Sequence, residues 1–168
     1  MENITKLEKI QRSFTKKIFG LHNVHYWDRL SQLRLFSLQR RRERYMIIYI
    51  WKIIHGLVPD VGLTYAPTND NNGLRLQLPH LNGPAHVRNL MESSLLYHGA
   101  RLYNLLPKEL RSTKNTEGKD ISVDSFKHKL DQFLWTIPDE PSPSKPPRSR
   151  NAETNSIIHQ LAYQTNQN

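Results

Sequence analysis

SLQRRRERYMIIYIWKIIHGLV, residues 37–58, is the stretch that decides the fold. Ser37 is a good N-cap and Gly56 a natural C-terminal stop, so the spacing predicts one helix running to His55. Its first half carries Arg40, Arg41, Arg42 and Arg44. Its second half carries Tyr45, Ile47, Ile48, Ile50, Trp51, Ile53 and Ile54 almost all round. A helix that is apolar all round is buried, so the second half belongs to a core. Cations near a helix N-terminus are disfavoured by about 0.3–1 kcal/mol each. The arginine cluster stands against that preference, which favours a functional role for it, and phosphate contact is the role its chemistry fits.

Working toward the N-terminus, Ile4, Leu7, Ile10 or Gln11, Phe14 and Ile18 recur every three or four residues. This lines up one apolar stripe on a helix ending near Gly20, with Lys6, Lys9, Arg12, Lys16 and Lys17 largely off the stripe and exposed. Because that helix starts almost at Met1 with no earlier element, the chain reads like a piece of a longer polypeptide. A second helix is expected over 27–33, with Trp27, Leu30 and Leu33 as its packing face.

Working toward the C-terminus, PDVGLTYAPTNDNNG (59–73) supplies turns and no periodic apolar face, and reads as a long loop. Leu74, Leu76 and Leu78 alternate with Arg75 and Gln77 as a short strand closed by Pro79, and a strand needs a partner. Residues 87–96 are the candidate, which places a short β-hairpin near 74–96. A helix is expected over 97–106 with Leu102, Leu105 and Leu106 inward, then a short turn after Pro107. Ser122 or Asp124 caps a last helix through Trp135, with Val123, Phe126, Leu130, Phe133 and Leu134 on one face. From 138 onward Pro and Ser dominate, and such a segment lacks the apolar surface to offset its ordering entropy. Ile157, Ile158, Leu161 and Ala162 could form a short helix, marginal if isolated.

The fold class is therefore mainly α, a small helical bundle with a short hairpin and a disordered C-terminal tail. The organisation expected is a basic helical segment over 1–58, a loop with short strands over 59–96, a helical segment over 97–137 packing with the first, and a tail over 138–168.

Charge points to a partner. The 168 residues carry a formal net charge of +9, and residues 1–58 hold 12 Lys plus Arg against 4 acids. Nearly all the excess lies in that first third, which indicates nucleic acid or another polyanion. With no cysteine, disulfide scaffolds, thiol catalysis and cysteine-based metal sites are excluded. No signal-peptide core opens the chain, and the longest apolar cluster, 45–54, is interrupted by Lys52 and too short to span a bilayer. An intracellular protein, nuclear or cytoplasmic, with no membrane partner is expected. Asn3-Ile4-Thr5 matches a glycosylation sequon and reads as chance in such a protein.

Catalytic chemistry finds no footing. Two-metal phosphoryl chemistry needs converging carboxylates, and the chain has no Asp-Asp pair. Asp139-Glu140 is its one adjacent acidic pair, at the edge of the expected tail, while Asp28, Asp60 and Asp70 lie in separate elements. His22-x-x-His25 lacks a third ligand nearby. Neither GxSxG, GxxxxGK nor GxGxxG occurs. No catalytic residue, metal or cofactor is expected. What remains is a nucleic-acid surface: Lys16, Lys17, Arg40, Arg41, Arg42 and Arg44 as phosphate contacts, with Tyr26 and Trp27 as candidates for base stacking. Tyr49 and Trp51, also among these charges, read as core.

The ordered series LEKIQRSFTKKIFGL, YWDRLSQLRLFSLQRRRERYMIIYIWKIIHGLV, GARLYNLLPKEL and SVDSFKHKLDQFL resembles the region that follows the polymerase domain in reverse transcriptases of non-LTR retrotransposons of the jockey and CR1 type. The likeness covers most of residues 7–134. It implies a non-catalytic C-terminal portion that helps hold RNA or DNA while the parent enzyme, an endonuclease and RNA-directed DNA polymerase, copies the mobile element. It implies no catalytic residue for any position here. Relatives often have Trp where this chain has Tyr103 in YNLLP, and some carry a downstream Cys/His knuckle that a chain without cysteine cannot form. The resemblance implies a fragment, whether truncated, domesticated or a remnant. A helical interaction module that docks on a polymerase domain is the alternative reading of the same residues.

Overall fold

A computed structural model describes residues 2–66, 74–112, 114, 118–141 and 155–165. The chain is mainly helical, as its periodicity predicts. The described helices are α1 (Glu2–Lys16), α2 (Tyr26–Gln32), α3 (Leu38–Ile54), α4 (Ala85–Glu92), α5 (Ala100–Asn104), α6 (Val123–Trp135) and α7 (Ile157–Thr165). One π-helical turn, Leu95–Gly99, leads into α5, and a 3-10 turn, Lys108–Leu110, follows it. Two compact units divide the chain, one of residues 1–43 with 137–168, the other of residues 44–136. These units part inside α3 and at the end of α6.

Local signals set the ends of α3. The Ser37 hydroxyl accepts from the Arg40 amide at 3.1 Å, which is the N-cap bond. At the other end the Leu57 amide donates to Lys52 at 2.9 Å and the Gly56 amide to Ile53 at 3.0 Å. With Gly56 at φ +66°, this is a Schellman ending. Ser122 caps α6 in the same way as Ser37, accepting from the Ser125 amide.

In the unit of residues 44–136, the second half of α3 is the centre of the core. Ile47, Ile50 and Trp51 are buried with Leu102 and Tyr103 of α5 and Phe126, Leu130 and Leu134 of α6. The Trp51 ring lies between Phe126, 4.7 Å away and nearly parallel, and His55 at 3.7 Å. Gly99 lets the π-turn approach α3 closely, since a Cβ there would meet Ile50 Cγ1 and Leu95 Cδ1 at 3.0 Å.

The expected hairpin is corrected. Residues 87–96 are not a strand; they contain the end of α4 and the start of the π-turn, because Val87, Leu90 and Met91 fall at helical spacing. Leu76 forms one antiparallel bridge, to Tyr65 in the preceding loop, and no strand occurs among the described residues. Its other edge meets the Asn104 side chain, whose amide donates to Leu76 O at 2.8 Å while its oxygen accepts from Leu76 N at 2.9 Å. An asparagine amide thereby completes the pairing that a second strand would give. Arg111, also buried, donates to Leu106 O at 2.9 Å and Leu74 O at 3.1 Å.

The other unit holds α1, α2, the first part of α3 and α7. Here the described part of the expected tail is folded: Ile157 is fully buried and Gln160 Nε2 donates to Glu140 O at 3.1 Å. The spacing of Ile157, Ile158, Leu161 and Ala162 allows this helix, and specific polar partners, given below, anchor it. The expectation of disorder over 142–154 and 166–168 lies outside the described residues.

Candidate nucleic-acid interface

Six cations and two aromatic rings are the sequence's candidates, and the structure separates them. Lys16 and Lys17 are exposed at the end of α1, where cations also suit the helix dipole. Arg41 is exposed and Arg42 half-buried, its guanidinium donating to Gln39 Oε1.

Arg40 is not a surface residue; its side chain is 0 % exposed. It donates to Ile137 O at 3.1 Å and Pro138 O at 2.7 Å, with Asp139 at 3.8 Å. Burial pulls this guanidinium below its ordinary range, opposed by the charges of Asp139 and Glu43. Arg44, in the other unit, forms a two-pronged pair with Asp131 at 2.5 and 2.8 Å, and those hydrogen bonds raise its pKa. The structure thus ties Arg40 and Arg44, two of the six expected phosphate contacts, to partners within the protein. The physical reason is that each meets a carboxylate or carbonyls from nearly a hundred residues away, which local sequence does not display.

The same network answers the unfavourable dipole of α3. The carboxylate of Asp139 accepts from the Ser37 amide and hydroxyl, both at 2.7 Å, and Glu8 Oε2 accepts from the Leu38 amide at 3.0 Å. Two carboxylates thus sit on the first amides of a helix whose opening turn is cationic, where anions are stabilising. Glu43, buried, accepts from the first amide of α7, Ile157 N, at 2.8 Å.

Tyr26 is held internally as well. It is buried, and its hydroxyl donates to Glu8 Oε1. Desolvation, then the Glu8 bond, raise its pKa well above the usual phenol range. Its ring lies 4.3 Å under the Arg12 guanidinium and 4.9 Å from the half-buried Trp27. The ring faces are engaged inside the protein, so Tyr26 offers no surface to a base.

The residues missed lie on α1, whose inward face is offset from the one its apolar periodicity predicts. Thr15 is buried, its hydroxyl accepting from Arg29 Nε at 3.3 Å. Gln11 Nε2 donates to Phe36 O at 3.1 Å, and Arg29 reaches Arg12 O at 3.1 Å. Glu8, Gln11 and Thr15 have the same helical spacing as Leu7, Ile10 and Phe14, rotated by about 100°. Leu7, Ile10 and Phe14 remain 54 %, 64 % and 68 % exposed, and Phe19, beyond the helix, is fully exposed. Beside that apolar stripe run Lys17, Lys6, Lys9 and Lys16, all exposed.

Exposed charge is consequently more one-sided than composition indicates. Among residues 6–43, 137–141 and 155–162, Lys6, Lys9, Arg12, Lys16, Lys17, Arg34 and Arg41 are exposed, against Asp28 and Glu140 as exposed acids. Glu8, Glu43 and Asp139 are turned onto backbone amides. Such a surface attracts polyanions with a strength that falls with salt.

Among the described residues, no group of three or more His, Asp or Glu could hold a metal ion, and no helix is long and apolar enough to cross a membrane. No protein-family model matches the chain, and neither a curated protein nor a solved structure is detectably similar to it.

Proposed function

We propose that this chain is a non-catalytic helical module that binds RNA or DNA through α1 and Arg41, and that it is a segment of the kind that follows the polymerase domain of a non-LTR retrotransposon reverse transcriptase. The observation that carries the binding reading is the outward row of Lys6, Lys9 and Lys16 on α1 with Lys17 just beyond it, in a unit where Glu8, Glu43 and Asp139 are turned onto backbone amides. The retroelement reading rests on the ordered resemblance of the four sequence segments. Intracellular residence belongs to the same reading.

Binding to a labelled RNA and to a DNA duplex, measured by fluorescence anisotropy across a salt series, tests it. Affinity should fall steeply with salt. Replacing Lys6, Lys9, Lys16 and Lys17 by Gln should flatten the slope of log K against log salt by about 0.7–0.9 for each phosphate no longer neutralised. Binding that ignores salt and survives the four replacements refutes the proposal.

A second reading is favoured by one observation, the exposed Leu7, Ile10 and Phe14. In it, α1 docks on a polymerase domain or another protein by that stripe. Self-association of the isolated chain, abolished by polar replacements at Leu7 and Ile10 and accompanied by little affinity for nucleic acid, would select it.

A further inference from the structure

We infer that the C-terminal end of α1 is a stacking site for unpaired bases, with Phe14 and Phe19 as the platforms and Lys16 and Lys17 as the phosphate contacts. This rests on the nucleic-acid reading above and names its substrate class: single strands in preference to duplex.

Two observations converge on it. The first is exposure: Phe14 is 68 % and Phe19 102 % exposed, so both rings forgo the stabilisation that burying a Phe supplies. The second is their setting. The Lys17 amide donates to Phe14 O at 3.0 Å, the Ile18 amide to Thr15 O at 3.4 Å and the Leu21 amide to Ile18 O at 3.0 Å, and Gly20 at φ +80° closes the turn. Residues 14–21 are thereby held as successive tight turns, and Thr15, buried between the two rings in sequence, ties them to Arg29. Two rings are thus presented on a fixed backbone with two exposed lysines between them.

Chemistry selects the ligand. A phenyl ring carries no hydrogen-bonding group and reads no base edge, whereas base–aromatic stacking is tolerant of base identity and requires a free base face. Duplex DNA or RNA keeps its base faces inside the stack, leaving only the lysines engaged. A second copy of this chain would set Lys16 and Lys17 against the same lysines. Of the two rings that sequence nominates, Tyr26 does not compete, being buried beneath Arg12.

The test uses the full chain, a fluorescein-labelled oligouridylate of about 12 nucleotides, within the site size of single-strand binders, and an RNA duplex of equal length. The single strand should bind more tightly. Phe14→Ala and Phe19→Ala should each weaken it about tenfold, and the Leu variants nearly as much, because Leu keeps apolar area but loses the π-face. Duplex affinity and both salt slopes should stay unchanged. Lys16→Gln with Lys17→Gln should instead reduce the single-strand slope by about 1.4. Equal affinity for strand and duplex, no effect of the Phe variants, or full rescue by Leu overturns the inference while leaving the nucleic-acid reading intact. Absence of binding to either ligand overturns both. Self-association abolished by Phe14→Ala, with single-strand binding unchanged, assigns the ring to a protein partner and also overturns it. Circular dichroism checks folding, which exposed rings should not affect.

Discussion

Replacing Arg40 by Met distinguishes a phosphate contact from a structural tie. The guanidinium donates to two carbonyls of the 137–138 segment and lies near Asp139, at a side chain with no exposure. A hydrogen bond from a charged donor contributes about 1.5–3 kcal/mol, and truncating one member of a buried charge pair costs about 3–5 kcal/mol. Met refills much of the volume, so the loss expected is about 3–4 kcal/mol, a large part of the roughly 5–15 kcal/mol that stabilises a domain. At a urea sensitivity of about 1–3 kcal/mol per molar, the midpoint should fall by about 2 M. Hydrogen exchange should accelerate over 157–162, because Arg40 also donates to Asn155 O at 3.5 Å, just before α7 and its Glu43 contact. The salt slope for nucleic-acid binding, measured where the variant is folded, should not change. Arg41→Met should behave oppositely, with stability within about 0.5 kcal/mol of the parent and a shallower slope. An R40M protein with the parental urea midpoint and a slope reduced by about one would refute the reasoning, since Arg40 would then be outside and on phosphate.

Further outcomes follow from single positions. Gly99→Ala should destabilise by about 1–3 kcal/mol in urea melts, because the new methyl meets Ile50 and Leu95 side chains at 3.0 Å; an unchanged midpoint would mean the π-turn yields freely. Arg34 occupies the left-handed position after α2 at φ 51°, where the Leu35 amide donates to Leu30 O at 2.8 Å. Arg34→Gly relieves about 1–2 kcal/mol of backbone strain and returns part as unfolded-state entropy, so thermal unfolding should rise by a few degrees. Tyr26 and Tyr103 are both raised far above the ordinary phenol range, mainly by burial. Above pH about 10 the unfolded chain releases these protons while the native chain keeps them, so stability is flat below pH 10 and falls above it, by up to about 2.7 kcal/mol per pH unit for two groups. Tyrosine absorbance and urea midpoints against pH check this, and Tyr26→Phe should halve the fall.

The sequence by itself determined the elements whose causes are local. Ser37 and Gly56 bound α3, Ser122 starts α6, and the isoleucines of the second half of α3 form the core around Trp51, while Tyr45 and Tyr49, which the sequence reads as apolar and core, are exposed on its other side. It also confined the excess charge to the first third of the chain. Tertiary structure alone decided which charges remain available. Arg40 reads like Arg41 in sequence, yet one meets carbonyls about a hundred residues away and the other meets solvent. The α1 stripe was legible but its direction was not, because Glu8, Gln11 and Thr15 share the spacing of Leu7, Ile10 and Phe14. The partners waiting inside are a tyrosine hydroxyl, backbone groups and an arginine, and they favour the polar face. Periodicity fixes the spacing of a helix's faces, and the chemistry of the surface it meets fixes which face turns inward.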